Sequence, residues 1–267
     1  MKRKKFLVIY RLLFFFFIYK YVCLNFDDGY YSIYKNAYPL LKNNKFKFTL
    51  ALIGAYLKDK KIKNKNDYRY LTINEIKEMI DSLDIEIASH SLTHRDLREL
   101  NNEEIEKEIK ESKEVLERLF KKEVLIFVYP YGRYDSRVIK SLIKNGYFLG
   151  RSTNYGEIDF FLKRWELPVK EVRKETKLSD IISYINKNKY TILLFHRITE
   201  KPRYFTDYSK RDFSLLIDYL KENNIKVVTL KEMYEIWWQD FLERLSKREE
   251  TSLKIYAPIY LDILKIK

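Results

Sequence analysis

Residues 85–94 read IEIASHSLTH. The first five residues form a short apolar run of strand-forming types, which predicts a β-strand over residues 85–89. His90 and His94 follow that strand, and they are two of only three histidines in the 267 residues. Taken alone, such a pair is as readily explained by chance or by solvated surface residues. Two imidazoles beside a strand end nevertheless indicate a metal site, whose other ligands must come from elsewhere in the chain.

The same order of elements repeats along the chain from about residue 20. Short apolar runs predict strands, and amphipathic stretches between them predict helices. Thr72 and Glu75 have the spacing of a capping box, and Asn101 or Asn102 is suited to cap the helix that follows. The predicted strands span residues 21–26, 47–53, 85–89, 124–128, 147–152, 162–169, 190–195 and 225–230, and the predicted helices span residues 31–43, 72–83, 101–120, 135–144, 179–187, 212–223 and 231–247.

Alternating strands and helices are typical of a parallel sheet covered by helices. About seven such units favour closure into a barrel over an open sheet, so we expect an α/β fold, a (β/α) barrel. Parallel barrels carry their functional groups at the carboxyl ends of the strands. We therefore expect one rim to hold the candidates that follow four different strands, namely Asp27, Asp28, His90, His94, Tyr129, Tyr131 and His196.

These residue types allow a specific chemistry. One aspartate and two histidines are a ligand set that catalytic zinc sites use, with one position left for water. Side chains alternate along a strand, so Asp27 and Asp28 cannot both point the same way. One of them can bind the metal while the other acts as a base, and His196 is left as a general acid. Metal, base and acid predict hydrolysis of an amide or an ester. The His-Glu-x-x-His motif of zinc proteases does not fit, because position 91 is serine.

Four motifs, NFDDG, SHSLTH, YPYG and LLFH, occur in this order along alternating strands. In their order and intervals they resemble the polysaccharide deacetylases of the NodB-homology family, across roughly residues 20–235. The resemblance implies a distorted (β/α) barrel of about seven strands, with residues 20–235 as the catalytic domain. It also implies a hydrolase that removes N-acetyl groups from a polysaccharide containing N-acetylhexosamine, with a divalent metal, most often zinc, as cofactor.

By the same resemblance, each motif implies a role. Asp27 would be the catalytic base that takes a proton from a metal-activated water. The backbone N–H of Tyr131 would help to hold the oxyanion, and His196 would protonate the leaving amine. The implied metal ligands are Asp28, His90 and His94.

The chain departs from the family pattern at two points. Many members carry arginine three residues before the motif tyrosine, where it steadies the catalytic aspartate, whereas this chain has Val128. The form FVYPYG resembles the subgroup that acts on polymers of the poly-N-acetylglucosamine type. Arg164 is predicted to supply the missing charge from another strand end. Asp159 and Glu166 are the candidates for the acidic residue that often pairs with the acid histidine.

Three further residues are predicted to bind substrate: Tyr129 and Pro130 in the YPYG motif, and Trp165, whose ring could stack on sugar. Other functions stay open. An enzyme of the same fold could act on an acetyl ester, a cyclic imide or a ureide. A non-catalytic glycan-binding relic or a basic surface-attached module would need no chemistry, although a complete set of site residues argues against a relic.

The charge of the chain bears on its partners. Lysine and arginine number 52 against 38 aspartates and glutamates, which gives a formal net charge of +14. Such a balance could attract nucleic acid, anionic lipid or an acidic polymer. The basic residues are interleaved with glutamate, and no zinc-finger spacing, RNP-like motif or Gly-rich phosphate loop occurs. We therefore expect no specific binding of nucleic acid, and the family resemblance implies an N-acetylated glycan as partner.

The two termini are set apart from the predicted domain. Residues 1–19 begin MKRKK and continue FLVIYRLLFFFFIY, a basic start before an apolar run that contains Arg11. This is typical of an anchor or interfacial segment, and slightly less so of a segment packed on the domain, so an envelope or membrane-associated location is favoured over the cytoplasm. Residues 236–267 are predicted to hold the end of the last helix and a tail. Cys23 is the only cysteine, which excludes an internal disulfide.

Overall fold

The structure, a computed structural model, describes residues 19–58 and 66–246. The strands are β1 (Tyr21–Phe26), β2 (Thr49–Leu52), β3 (Glu86–Ser89), β4 (Ile126–Val128), β5 (Leu149–Arg151), β6 (Lys170–Glu171), β7 (Tyr190–Phe195), β8 (Arg197–Thr199), β9 (Asp207–Ser209) and β10 (Lys226–Val227). The α-helices are α1 (Tyr38–Asn44), α2 (Ile73–Leu83), α3 (Asn102–Phe120), α4 (Ser136–Lys144), α5 (Leu178–Lys187), α6 (Lys210–Glu222) and α7 (Leu230–Ser246).

Seven parallel strands curl into a half-barrel in the order β5-β4-β3-β2-β1-β7-β6, and β10 pairs with the start of β1. The central strand, β1, pairs with β7 along all six of its residues. A separate pair, β8 and β9, follows β7 in the chain. The predicted α/β fold with a distorted barrel of about seven strands is confirmed.

The central strands are buried on both faces, which explains their nearly continuous apolar sequences. In β1, Leu24 and Phe26 enter one apolar cluster, whereas Cys23 enters a second cluster on the other face of the sheet. This alternation follows from the two-residue period of a strand. Helix α7 contributes Met233 and Trp237 to the second cluster, so it packs on the face opposite to the larger core.

Two predicted helix starts are confirmed by their caps. The Thr72 hydroxyl accepts a hydrogen bond from Glu75 N at 3.3 Å, and the Glu75 carboxylate accepts one from Thr72 N at 2.8 Å. Asn101 and Glu104 make the same exchange at the start of α3, at 2.9 and 3.0 Å. Each exchange satisfies backbone N–H groups that a helix start would otherwise leave without a partner.

The structure differs from the prediction in the segments that flank the regular strands. Residues 162–169 form turns rather than a strand, because backbone bonds from Lys163 N to Asp159 O and from Glu166 N to Lys163 O fold the segment back. The next strand is β6. The predicted helix at 31–43 begins with a π-helical turn, Ile33–Ala37, before α1. The strands β8 and β9 are absent from the prediction, because three residues are too few to show the two-residue period of a strand.

No helix within residues 19–58 and 66–246 is both long enough and apolar enough to cross a membrane. The predicted anchor or packed segment at residues 1–19 lies almost wholly outside the described residues. The same holds for the part of the predicted C-terminal tail that follows Ser246.

Candidate active site

A cleft of about 480 Å³ opens at the carboxyl ends of the strands. Two aspartates follow β1, two histidines follow β3 and the third histidine follows β7. Parallel topology brings these strand ends to one edge of the sheet, as expected. The residues predicted for this rim that line the cleft are Asp27, Asp28, His90, His94, Tyr129, Tyr131 and His196.

The backbone around the cleft adopts a conformation that side chains disfavour. Four residues other than glycine have a positive φ: 67° at Asp28, 63° at Ser91, 63° at His94 and 59° at Tyr131. Each such residue costs of order 1–2 kcal/mol, so surrounding contacts must hold it in place. These residues turn the chain sharply beyond the strands, at the positions where side chains enter the cleft.

Asp28, His90 and His94 form a compact cluster of donor atoms. Asp28 Oδ1 lies 3.4 Å from Nε2 of each histidine, and the two Nε2 atoms are 3.2 Å apart. Two ligands held at about 2.0–2.1 Å from a tetrahedral ion lie about 3.3–3.4 Å from each other. The three atoms therefore have the spacing of one face of a tetrahedral metal site.

The pKa values of Asp28 and His94 favour metal binding. Burial alone would raise the pKa of Asp28, but the hydrogen bond and charge of His90 outweigh it and hold that pKa well below its ordinary value. Burial, followed by the charge of His90, lowers the pKa of His94 to about 4. Burial also lowers the pKa of His90, yet its hydrogen bond to Asp28 dominates and the pKa lies above its ordinary value. Near neutral pH, His94 is thus neutral and Asp28 anionic, as metal ligands must be.

A backbone carbonyl orients His90. Its Nδ1 lies 2.8 Å from the carbonyl oxygen of Val128, at the end of the neighbouring strand β4. A carbonyl can only accept, so Nδ1 carries a proton, and in the neutral ring Nε2 then has a free lone pair. This contact therefore sets the tautomer in which Nε2 faces Asp28 and His94.

A buried glutamate holds the turn that carries His94. Glu108, on α3, accepts hydrogen bonds from Leu92 N at 3.0 Å, from Thr93 N at 2.8 Å and from the Thr93 hydroxyl. His94 N donates to Ser91 Oγ at 2.8 Å. These contacts stabilise the two left-handed residues of the HSLTH turn, so Glu108 positions a ligand without touching the donor cluster.

Asp27 is almost fully buried, and its hydrogen bonds fall on one oxygen. Oδ1 accepts from Asn25 Nδ2 at 3.1 Å and from Nη2 of Arg151, the fully buried last residue of β5. The prediction that Arg164 supplies this charge is wrong. Arg164 Nε donates to Phe148 O at 2.6 Å and its guanidinium lies over the Phe148 ring, because the segment around it is a turn and not a strand.

His196 has no acidic partner of the predicted kind. Its Nδ1 is buried and has no hydrogen-bond partner in the part of the chain that the structure describes. Asp159 accepts a hydrogen bond from Phe161 N, and Glu166 accepts one from the Tyr134 hydroxyl. The prediction that one of these carboxylates orients His196 is therefore wrong, since both are engaged in local turns and packing.

The residues of the YPYG motif and Trp165 do not share one environment. Tyr131, whose backbone N–H is the predicted oxyanion donor, is 58% exposed, and its ring lies 4.7 Å from that of His94. Of the three residues predicted to bind substrate, Tyr129 borders the cleft, but its ring is buried and its hydroxyl donates to Trp165 O at 2.8 Å. Pro130 is buried, Trp165 packs against the larger apolar cluster, and neither lines the cleft, so their predicted contact with sugar is not supported.

Comparison with known proteins supports the resemblance that the motifs predict. Residues 18–149, just under half of the chain, match the family model described as polysaccharide deacetylase. This part of the chain holds the motifs NFDDG, SHSLTH and YPYG and is similar to polysaccharide deacetylases, so the predicted resemblance is confirmed.

Two curated relatives each match about half of this chain. YxkH of Bacillus subtilis (strain 168), which carries a provisional polysaccharide deacetylase name, is 36% identical over 137 residues, or 51% of this chain and 46% of that protein. The poly-β-1,6-N-acetyl-D-glucosamine N-deacetylase of Staphylococcus aureus (strain MRSA252) is 29% identical over 139 residues, or 49% of this chain and 47% of that protein. The chain thus spans about half the length of the curated relatives it matches.

Among solved structures, the peptidoglycan deacetylase PdaC of Bacillus subtilis has the same fold. It superposes with a TM-score of 0.58 at 17% identity, over 87% of this chain and 98% of that chain.

Two residues of the candidate site, Arg151 and Glu108, are absent from the sequence-based predictions. Arg151 lies at the end of the strand predicted at 147–152, so the strand-end position that marks the other candidates also marks this residue. Glu108 gives no such signal: it is one of several glutamates on α3, and only the packing of that helix against the HSLTH turn distinguishes it.

Proposed function

We propose that this chain is a metal-dependent N-deacetylase that removes acetyl groups from a polysaccharide of N-acetylhexosamine, with zinc as its metal. The observation that carries the proposal is the donor cluster of Asp28, His90 and His94 beside Asp27 and His196 in one cleft. The relative from Staphylococcus aureus is named for poly-β-1,6-N-acetylglucosamine, which favours that polymer class as substrate.

The ion would be held by one carboxylate oxygen and two imidazole nitrogens, and when bound it would supply Lewis acidity toward the acetyl carbonyl and the attacking water. Asp27 is the proposed base. Its Oδ1 is engaged by Asn25 and Arg151, so Oδ2 is the oxygen that would accept the proton of the attacking water. Arg151 would keep the carboxylate in this orientation.

The remaining steps use two groups on other strand ends. As the water oxygen bonds to the carbonyl carbon, the backbone N–H of Tyr131 would donate to the carbonyl oxygen, a preorganised contact worth about 3 kcal/mol. The carbon–nitrogen bond then breaks, and His196 would transfer a proton to the leaving nitrogen. The products are acetate and a free amine on the sugar.

Acetate release across a set of substrates tests this function. The protein is stripped with a chelator, reloaded with zinc, and assayed with poly-β-1,6-N-acetylglucosamine, chitin oligosaccharides, acetylated xylan and a cyclic imide. We expect release from N-acetylated glycan that is lost on stripping and restored by zinc. His94→Ala should abolish it, whereas Glu114→Gln, a change in a surface pair with Lys110, should not.

Two results would contradict the proposal. Turnover of the ester or the imide without any turnover of N-acetylated glycan would assign another substrate to the same fold. Tight metal binding with no turnover of any of these substrates would favour a glycan-binding relic.

A further inference from the structure

A second cavity adjoins the cleft on the side of the β8–β9 pair. It has a volume of about 440 Å³ and is lined by Arg173, Lys174, Glu175, Arg203 and Phe205. Arg173 and Phe205 also line the cleft that contains the metal-binding cluster. These two side chains therefore stand between the reacting position and a neighbouring space of similar size.

Phe205 presents an unusual surface at this boundary. The residue is 66% exposed, and it is a wholly apolar side chain among lining residues most of which carry a polar group. The Arg173 guanidinium lies 5.2 Å from the ring centroid, and Arg173 Nη2 donates to Glu171 Oε2 at 2.7 Å. An aromatic face beside fixed hydrogen-bonding groups is what a pyranose ring requires, since a sugar has apolar C–H faces and a polar edge.

The segment that carries Phe205 is held rigidly. Asp207, fully buried, accepts hydrogen bonds from Arg203 N at 2.7 Å, from Tyr204 N at 3.0 Å and from Arg197 Nε at 2.5 Å. The carbonyl oxygen of Phe205 itself accepts from Lys174 N at 3.0 Å. The backbone on both sides of the ring is thus ordered before any ligand binds, so little ordering entropy is lost on binding.

We propose that Phe205 is a specificity-determining residue that stacks on the sugar unit adjacent to the one being deacetylated, with Arg173 hydrogen-bonding to the edge of that unit. The inference rests on the proposed function and deepens it. It makes the enzyme selective for oligomers and polymers over single N-acetylhexosamines, because only a chain of sugars can occupy both spaces at once.

The test compares chain lengths. Acetate release is measured with N-acetylglucosamine oligomers from one to six units, in wild type and Phe205→Ala. We expect wild-type kcat/KM to rise steeply between one unit and three. The variant should lose about tenfold on the longer oligomers, mainly through KM, and remain within about twofold of wild type on the single sugar. Phe205→Trp should retain the preference. Tyr155→Ala removes a comparably exposed ring that does not line either cavity, and should change nothing.

Binding measured by calorimetry with the intact hexamer separates this inference from the proposed function. If wild type binds the hexamer and Phe205→Ala weakens it about tenfold, the inference stands even without acetate release. Acetate release that is equal in both proteins on the hexamer would overturn the inference and leave the proposed function intact. A loss of the same size on every length would also overturn it, because it would indicate a structural role. If wild type shows no binding of the hexamer, the inference fails.

Discussion

The two ends of the parallel sheet each hold a carboxylate by hydrogen bonds, but the donors differ. At the carboxyl end, Asp27 accepts a hydrogen bond from the guanidinium of Arg151. At the opposite end, Glu86 accepts from the Thr49 hydroxyl at 2.7 Å and from the first two backbone N–H groups of α7 at 3.0 and 3.1 Å. A helix start is a natural site for a carboxylate, so Glu86 fastens α7 to the sheet.

The location of the left-handed backbone residues also differs between the cleft and the rest of the described chain. Left-handed residues outside the cleft close helices: Lys45, Asp84 and Lys121 cap α1, α2 and α3, and Asn224 follows the cap of α6. Those at the cleft follow strands and turns instead. Helix ends adopt this conformation routinely, whereas strained turns cluster at functional sites. The comparison shows that strain and a buried ion pair are concentrated at the end of the sheet where the donor atoms of Asp28, His90 and His94 lie.

The largest expected effect comes from the base. Asp27→Asn keeps the size of the side chain and an oxygen for Arg151 but removes the proton acceptor, so acetate release should fall about 10²–10⁴-fold. Glu86→Gln, the matched change at the other end of the sheet, should leave activity within about twofold. Activity retained by Asp27→Asn with an unchanged metal content would remove Asp27 from the mechanism.

A pair of arginine variants tests which guanidinium supports the site. Arg151→Met leaves a buried carboxylate without its cation, which should cost about 3–5 kcal/mol of unfolding free energy. Arg164→Met removes one hydrogen bond to a carbonyl and a ring contact, so it should cost no more than about 2 kcal/mol. Urea denaturation measures both. Equal losses would mean that the Asp27–Arg151 pair has no special weight.

The support for the ligand turn gives a smaller effect. Glu108→Gln loses the charge that accepts three hydrogen bonds from the HSLTH turn, and zinc affinity should fall about 10–100-fold. The comparison is with Glu114→Gln on the exposed side of the same helix. Competition with a chromogenic chelator measures the affinity, and identical values in the two variants would show that Glu108 does not position His94.

The smallest expected effect is a pH dependence of stability that comes from Glu86, at the amino end of the sheet. Burial raises the pKa of Glu86 from 4.5 to about 7. The folded state therefore binds this proton more tightly than the unfolded state, and the resulting loss of stability develops as pH rises from about 4.5 to 7. Across this pH range, the free energy of unfolding of wild type should fall by on the order of 1–3 kcal/mol relative to that of Glu86→Gln. Parallel stability curves for the two proteins would contradict this.

The strand ends were predictable because their signals are local. The apolar runs of β1 and β3 can be read from the sequence, and Asp27, Asp28 and His90 follow them. The contact of Arg151 with Asp27 cannot, because β5 is four strands away from β1 in the sheet and only the curvature of the sheet brings the two strand ends together. The sequence also gave Arg164 a strand end that the turns at 162–169 do not provide.

Position at a strand end does not identify site residues that lie in loops and helices. Glu108 acts through the packing of α3, and Phe205 lies in a short segment without periodicity, so neither has a pattern that marks it before the fold is known. The four motifs do predict the resemblance, since each motif stands at a strand end, and three of them lie within residues 18–149, which match the family model.

The central claim is that Asp28, His90 and His94 bind one metal ion. The most direct test is the zinc content of chelator-stripped and reloaded protein, in wild type and in Asp28→Ala. We expect about one zinc ion per chain in wild type and none in the variant, and circular dichroism should show that the variant keeps its fold. A wild type that holds no zinc after reloading, or zinc that is unaffected by Asp28→Ala, would contradict it.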